Sequence, residues 1–289
     1  MIKIVTDSSS ELSPEMAKDL GIMVVPLHVR FDEEVYQERV TISDEEFYRR
    51  LVEGTVHPVT IQPGPNDFIK VYEEVAKEAD GIISIHISGK LSGTLNSALQ
   101  AKGMAKVDCP IEVVDSRTVS VALGLIAIAT VEAAKQGKGL QQVLEVAKEA
   151  IDNTHSLCLL DTLKYLQLGG RIGKAKALLG TVLNVKPLIT VKDGEVVPAG
   201  QVRSRTKGLE RLFDFVQKAQ EIEDIAIGYT TTLDDAPLTL SQRVASVFNK
   251  DRVKLMRLGT TLGVHLGPGA LILSLRGKIA GMKTTSQEI

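Results

Sequence analysis

The first half of the chain alternates short apolar runs with longer amphipathic segments. The short runs have the length of strands, and the longer segments repeat apolar residues at helical spacing. The strands predicted for this half are Ile2–Val5, Ile22–Val25, Gly81–Ile87 and Ile111–Val114. The helices predicted here are Pro14–Leu20, Ser43–Glu53, Asn66–Ala79, Ser92–Lys106 and Thr118–Lys135. This alternation predicts a mostly parallel sheet that is flanked by helices on both faces.

The pattern changes after the predicted helix Leu140–Ile151. Two runs with strand character flank Asp193-Gly194, and this dipeptide is a strong signal for a β-hairpin. The strands predicted for this half are Ser156–Leu160, Val185–Val191, Glu195–Val202, Asp224–Tyr229, Arg252–Leu258 and Ala270–Leu275. The helices predicted here are Thr162–Leu168, Thr206–Ala219 and Leu238–Phe248. A hairpin followed by strand–helix repeats predicts an arrangement of the α+β class.

These patterns predict an α/β protein of two domains. The first is an α/β domain of residues 1–154, which includes a small polar flap near residues 27–40. The second is an α+β domain of residues 155–289. A length of 289 residues also favours two domains over one.

Composition and charge are those of a soluble globular protein. Hydrophobic residues make up 44% and charged residues 24% of the chain. A net charge of −2 and an aromatic content of 4% argue against nucleic acid as a partner. The start of the chain has no leader-like pattern and the most apolar segment is too short to span a bilayer, so we expect a cytoplasmic protein. Cys109 and Cys158 stand alone, far from any metal-binding spacing.

Three polar segments that lie within apolar sequence carry the candidate chemistry. They are Thr60–Pro63, Ser88–Thr94 and Gly263–Gly269, and each offers hydroxyl, imidazole or backbone N–H donors at a loop or at the start of a helix. Such donors hold a carboxylate or a phosphate without a metal. Ser92 follows a predicted strand by a short loop and opens a predicted helix, where free N–H groups and the helix dipole favour an anion.

Each segment also has a structural interpretation. Ser92 is a common residue type for a helix N-cap, which alone accounts for a serine there. The prolines around Thr60 make that segment a rigid connector. A loop histidine such as His265, which lies among glycines, is more often a structural donor than a catalyst. No histidine pair has metal-ligand spacing and no glycine cluster has the form of a nucleotide-binding loop, so we expect neither a metal nor a nucleotide cofactor.

Together with Ile4–Ser9 and Leu168–Ile172, the three segments resemble the DegV family, and the resemblance covers essentially the whole chain. Characterised members of that family bind long-chain fatty acids, and some are the acyl-carrying subunit of a bacterial fatty acid kinase. The segment that begins at Thr60 departs from the family's Thr-Ser-Gln-Pro-Ser at Ile61 and Gly64, but it keeps the threonine, the glutamine and the proline.

The resemblance implies a lipid-binding protein rather than an enzyme. Its two domains would form a cleft that holds the carboxylate, with the acyl chain in an apolar tunnel. The residues that the resemblance places at the carboxylate are Thr60, Ser92, Gly93, Thr94 and His265. The ligand would be a long-chain fatty acid such as palmitate, and peripheral contact with a membrane would allow lipid exchange.

The resemblance also implies a protein partner, a separate ATP-dependent fatty acid kinase that phosphorylates the bound acid. Arg203 lies between a predicted strand and a predicted helix and matches an arginine that the family uses in the kinase-dependent step. Arg171 is a second candidate for contact with the kinase or with the acyl phosphate. The residues leave a competing hypothesis open, in which a serine-dependent acyl hydrolase or acyltransferase uses Ser92 with His265.

Overall fold

The structure is a computed structural model, and it describes residues 1–180, 185–230 and 234–279. The predicted second domain also includes residues 181–184, 231–233 and 280–289, which lie outside the described residues. In chain order, the elements up to residue 135 are β1 Ile2–Asp7, α1 Pro14–Leu20, β2 Ile22–Val25, β3 His28–Phe31, β4 Glu34–Gln37, α2 Asp44–Glu53, β5 Val59–Ile61, α3 Pro65–Val75, β6 Gly81–His86, α4 Thr94–Met104, β7 Ile111–Asp115 and α5 Val121–Lys135. The elements that follow are α6 Leu140–Asp152, β8 Thr154–Leu159, α7 Lys164–Leu168, β9 Lys186–Lys192, β10 Glu195–Val202, α8 Arg205–Gln217, β11 Ala219–Tyr229, α9 Ala236–Ala245, β12 Val253–Arg257, α10 Thr260–Leu266 and β13 Leu271–Ile279.

The first sheet is parallel throughout and has the strand order β2-β1-β6-β7. Its central strand β6 is buried on both faces along its whole length, and its sequence is accordingly mainly apolar instead of alternating. On β6, Ile82 packs in a cluster with residues of α3 and α4, whereas its neighbour Ile83 packs in the cluster that contains α5. Helices therefore flank the sheet on both faces, and the predicted α/β class is confirmed.

The second sheet has six strands in the order β10-β9-β8-β13-β11-β12. Its pairs are antiparallel except for β11 and β12, which are parallel. The turn between β9 and β10 is the predicted Asp193-Gly194, and both residues have the positive φ that such a turn requires, 50° and 79°. One face of the sheet packs against α8 and α9, because the apolar cluster there joins residues of both helices to β11 and β13.

Helix α5 connects the two sheets. Its side chains are buried around nearly the whole helix, as expected for a helix that is apolar on all sides. One continuous apolar cluster contains α5 together with Ile4 and Ile83 of the first sheet and Cys158 and Ile272 of the second. Because the core continues across residue 154, the domain boundary there stays a prediction.

Two segments that the sequence indicates as loops are regular elements in the structure. Thr60 lies in strand β5, which pairs with β3 so that Thr60 is opposite Val29 in a small sheet of order β4-β3-β5. His265 lies in the last turn of helix α10. The glycines around it suggested a loop, but Gly263 serves helix packing, because a Cβ atom there would lie 2.3 Å from Cε1 of Phe47. No helix within residues 1–180, 185–230 and 234–279 is both long and apolar enough to cross a membrane.

Candidate functional site: a cavity between the two sheets

A cavity lies between the carboxyl end of the first sheet and one face of the second. The space free of protein atoms there, counted together with its opening to solvent, is about 800 Å³. The wall from the second sheet is formed by Cys158, Ile189 and Ile272, which lie side by side because they are register partners on β8, β9 and β13. The opposite wall includes Ile87, which directly follows β6. Ligands of open α/β sheets commonly bind at this end of the strands.

The polar part of the wall is centred on Thr60 and His265. Thr60 Oγ1 lies 3.0 Å from His265 Nε2, which is a hydrogen-bond distance, and both residues line the cavity. The imidazole also packs against Gly169, where a Cβ atom would lie 2.1 Å from Nδ1. Glycine at position 169 is therefore required for the histidine to occupy this position.

His265 is uncharged at neutral pH in this environment. Burial lowers the pKa of His265 to about 3, with smaller contributions from the nearby charges of Arg171 and His57. Nδ1 of His265 has no hydrogen-bond partner among the described residues. One ring nitrogen is thus engaged by Thr60, and the other is buried and unpaired.

Ser92 lines the same cavity, just before α4 begins. It is not the N-cap of that helix, a position that Gly93 occupies. Ser92 Oγ lies 2.8 Å from Thr94 Oγ1 and accepts a hydrogen bond from the Thr94 backbone N–H at 3.3 Å. Thr94 itself is completely buried. Two hydroxyls and the N-terminus of α4 are therefore grouped at one place in the wall.

The space next to Gly93 is filled by a side chain of the protein. A Cβ atom at Gly93 would lie 2.1 Å from Oε1 of Gln62, and the Gln62 amide donates to Ser97 Oγ at 3.3 Å. Gln62 follows β5 directly. It therefore ties the strand that carries Thr60 to the helix start that carries Ser92 and Thr94, a role that the sequence did not indicate.

The two arginine candidates lie in different places. Arg171 lines the cavity, and its guanidinium donates to the carbonyl of Gly169 at 2.8 Å and to that of Leu91 at 3.2 Å. Arg203 is exposed, immediately before Ser204, the N-cap of α8, and it does not belong to the described cavity wall. The structure therefore brings Arg171 together with Thr60, Ser92 and His265, but it does not do so for Arg203.

Two buried carboxylates hold the first turn of α10. Glu38 accepts hydrogen bonds from the backbone N–H and the hydroxyl of Thr261, both at 2.8 Å, and from Ser8 Oγ at 2.5 Å. Glu11 accepts from the backbone N–H of Gly259 at 2.7 Å. Acceptor oxygens at a helix N-terminus satisfy backbone N–H groups that have no partner within the helix. These contacts fix the helix that carries His265, and no sequence motif indicated either glutamate.

Arg39 supplies a positive charge to this buried cluster. Its guanidinium donates to Glu11 at 3.1 Å and is itself mostly buried. Burial raises the pKa of Glu11 to about 8, although the charge of Arg39 and the hydrogen bond from Gly259 act in the opposite direction. Glu11 and Arg39 have positive φ angles of 62° and 56°, which are uncommon outside glycine and asparagine.

A Ser-His-Asp arrangement exists elsewhere in the protein, but it is structural. Ser84 Oγ lies 2.6 Å from Nε2 of His86, whose Nδ1 lies 3.0 Å from Asp7 Oδ2. All three side chains are completely buried, and none of them lines the cavity. Asp7 also accepts a hydrogen bond from the backbone N–H of Ile87 at 3.0 Å, so the network fixes the start of the segment that leads to Ser92. Among the described residues, no cluster of His, Cys, Asp or Glu could hold a metal ion.

Comparison with known proteins decides the family. The model of the DegV family, which is described as an uncharacterised protein family, matches residues 1–277. The chain belongs to the DegV family. A DegV domain-containing protein of Deinococcus radiodurans is 34% identical over 277 residues, which are 95% of this chain and 98% of that protein. A DegV relative in Halalkalibacterium halodurans is 35% identical over 279 residues, covering 94% of this chain and 97% of its own.

Solved structures of DegV proteins have the same fold over nearly the whole chain. One is a DegV family protein from Thermus thermophilus that is described as binding fatty acid. It is 35% identical to this chain with a TM-score of 0.87, and the match covers 96% of this chain and 99% of that protein. A stearic-acid-binding protein from Eubacterium ventriosum is 28% identical with a TM-score of 0.84 and covers 96% of this chain and 98% of its own.

Proposed function

We propose that this DegV protein binds a long-chain fatty acid such as palmitate in the cavity, with the carboxylate at Thr60 and His265. The observation that carries the proposal is the composition of the cavity wall. Polar groups from three distant segments line one cavity whose wall is otherwise mainly apolar, and two of them, Thr60 and His265, are in hydrogen-bond contact. The description of the T. thermophilus and E. ventriosum relatives as fatty acid binding supports the same ligand class.

The acyl chain supplies most of the affinity in this proposal. Each methylene that leaves water contributes about 0.8 kcal/mol. A neutral hydrogen bond adds only about 1 kcal/mol, and one to a charged group adds about 2 kcal/mol. The polar contacts therefore mainly fix the orientation of the acid, so that its carboxylate stays at the mouth of the cavity.

Each polar group has a distinct role at the carboxylate. Thr60 and Ser92 donate through their hydroxyls, and the neutral imidazole of His265 keeps the Thr60 hydroxyl in place or donates directly. The Ser92 and Thr94 hydroxyls hydrogen-bond to each other, which uses one of their two protons and leaves the other for the ligand. The backbone N–H groups of Gly93 and Thr94 add the positive end of the α4 dipole.

The same proposal makes the protein a carrier rather than an enzyme. A separate ATP-dependent fatty acid kinase phosphorylates the bound acid, with Arg203 as its contact on the surface and Arg171 near the acyl phosphate. Arginine suits both tasks because its planar guanidinium binds phosphate or carboxylate through two parallel hydrogen bonds. The hydrogen-bond geometry gives no support to a hydrolase, because His265 Nε2 is hydrogen-bonded to Thr60 and Ser92 Oγ to Thr94.

Mass spectrometry of the lipid extracted from purified protein tests this function. We expect about one long-chain fatty acid per protein, and exchange of that lipid with added palmitate. Hexadecanol, which has the same chain without the carboxylate, serves as the matched control and should bind more weakly. Absence of any bound acid together with no uptake of palmitate would contradict the proposal. Turnover of activated acyl esters by the pure protein would favour the hydrolase hypothesis instead.

A further inference from the structure

Ser120 is a polar residue of the cavity wall to which the proposed function gives no role. It lines the cavity, it is only 1% exposed, and its Oγ has no hydrogen-bond partner among the described residues. Buried hydroxyls in proteins almost always have a partner, either in the chain or in a bound molecule. An unpaired hydroxyl in a cavity wall therefore indicates a partner that enters the cavity.

The backbone of Ser120 is held in a conformation that is nearly exclusive to glycine. Its φ of 68° and ψ of −152° lie outside the extended region that an N-cap serine normally adopts. The segment before it is fixed by two backbone hydrogen bonds. The Ser116 N–H donates to the His86 carbonyl at 3.0 Å, and the Thr118 carbonyl accepts from the Ser88 N–H at 2.9 Å. Backbone strain that neighbouring structure imposes in this way is concentrated at binding sites.

Ser120 is also the N-cap residue of α5, but its side chain does not cap the helix. The hydrogen bond from the Gly124 N–H to the Ser120 carbonyl, at 3.2 Å, begins the helical series, so the N–H groups of residues 121–123 have no acceptor within the helix. These three residues are at most 1% exposed. Because α5 has 15 residues, its N-terminus carries the positive end of a substantial helix dipole. The free hydroxyl and the start of α5 together favour an anionic acceptor.

The start of α5 lies next to the start of α4. The two helices follow β7 and β6, which are neighbouring parallel strands, so both helices begin at the carboxyl edge of the first sheet. The Ser88–Thr118 hydrogen bond joins the two connecting segments, and Ser120 comes just after Thr118. The Ser92 N–H donates to the Ser88 carbonyl at 3.1 Å, which keeps Ser92 close to the same contact. Serines at two neighbouring helix starts thus line one cavity.

We propose that Ser120 is a further carboxylate-binding residue, and that its hydroxyl and the start of α5 hold the acid together with Thr60 and Ser92. This inference rests on the proposed fatty acid function and adds to it a residue that no sequence motif indicated. The Ser120 hydroxyl donates to a carboxylate oxygen and so gains the partner that the chain does not supply. A carboxylate accepts about four hydrogen bonds, so it binds Ser120 as well as the donors already described.

Two replacements of Ser120 test the proposal. Ser120→Gly removes the hydroxyl and suits the observed φ, whereas Ser120→Ala removes the hydroxyl and keeps the unfavourable φ. We expect both variants to lose about fivefold to thirtyfold in affinity for palmitate, the effect of one hydrogen bond to a charged group. Both should bind hexadecanol within about twofold of the wild type. Ser120→Gly should unfold at a higher temperature than Ser120→Ala, which separates the loss of binding from a loss of stability.

Asp32→Gly is the matched control for a change of backbone freedom. Asp32 has a φ of 49° at an exposed turn and does not belong to the described cavity wall, so the variant should bind both lipids as the wild type does. Wild-type affinity for palmitate in both Ser120 variants, as expected if Ser120 binds only water, would overturn the role of Ser120 and leave the fatty acid function standing. An equal loss for palmitate and hexadecanol would overturn that role as well. Failure of the wild-type protein to bind palmitate would overturn both the role of Ser120 and the fatty acid function.

Discussion

The hydroxyl of Thr60 and the imidazole of His265 lie 3.0 Å apart, although 205 residues separate them along the chain. Thr60 is presented by the short strand β5 and His265 by the last turn of helix α10. Strand β5 and helix α10 are far apart in the chain. The pair therefore exists only when the two halves of the protein are assembled. A change in how the two halves pack would therefore alter this contact.

Replacing Thr60 by Val tests the head group contact with little change in shape. We expect the affinity for palmitate to fall by about fivefold to thirtyfold, because a hydrogen bond to a charged group contributes about 1–2 kcal/mol. The affinity for hexadecanol should stay within about twofold, since it lacks the carboxylate. Titration calorimetry with both lipids measures the difference. Thr206→Val, at an exposed position of α8, is the control. An equal loss for both lipids would contradict the assignment of Thr60 to the carboxylate.

The neutral state of His265 predicts a pH dependence of stability. The pKa of His265 is lowered from 6.5 to about 3 in the folded protein, so below pH 6.5 the unfolded chain binds a proton that the folded protein does not. Its contribution to stability is therefore complete above pH 6.5 and is lost as the pH falls from there towards 3. Denaturant unfolding at a series of pH values measures this decline. We expect a smaller decline in His265→Gln, and an identical decline in the two proteins would count against the buried neutral imidazole.

The hydrogen bonds of Glu38 predict that this residue positions His265 from a distance. Glu38→Ala leaves the N–H and hydroxyl of Thr261 and the hydroxyl of Ser8 without their acceptor. We expect the free energy of unfolding to fall by about 2–4 kcal/mol, since buried groups that lose a charged partner are costly. Glu38→Gln retains one acceptor oxygen and should recover part of the loss.

Ligand binding separates positioning by Glu38 from general stability. Under conditions where both variants are folded, Glu38→Ala should bind palmitate more weakly and hexadecanol almost normally, because only the acid needs His265 in place. Glu46, at the surface of α2, offers the control Glu46→Ala, which removes exposed ion pairs with Arg49 and Arg50. If Glu38→Ala and Glu46→Ala affect the two lipids alike, the positioning role is wrong.

Arg203→Ala is expected to separate ligand binding from phosphorylation. Arg203 is exposed and does not belong to the described cavity wall, so the variant should keep its thermal stability and its affinity for palmitate. In an assay with the cognate fatty acid kinase, it should lose most acyl phosphate formation. Arg211→Ala, at an exposed position of α8, is the control for a loss of positive charge. Normal phosphorylation of Arg203→Ala would remove this residue from the kinase contact.

The sequence alone predicted the elements whose stability is local or whose burial is complete. The bounds of α1 follow from Ser13, which caps the helix, from Pro14 and from Gly21, which ends it at a φ of 72°. Strand β6 of the parallel sheet is recognisable because burial on both faces favours a mainly apolar run. The β9–β10 hairpin follows from Asp193-Gly194, whose conformational preference is a property of the dipeptide.

The tertiary structure decided the elements that build the site. Helix α10 has only seven residues, too few to be stable alone, and it exists because Gly263 packs on Phe47 and Glu38 binds its first turn. Strand β5 is short and proline-flanked, and it becomes a strand only by pairing with β3. The sequence identified Thr60, Ser92 and His265 as candidate donors. Their meeting depends on contacts between residues that are far apart in the chain, which no local pattern of hydrophobic and polar residues encodes.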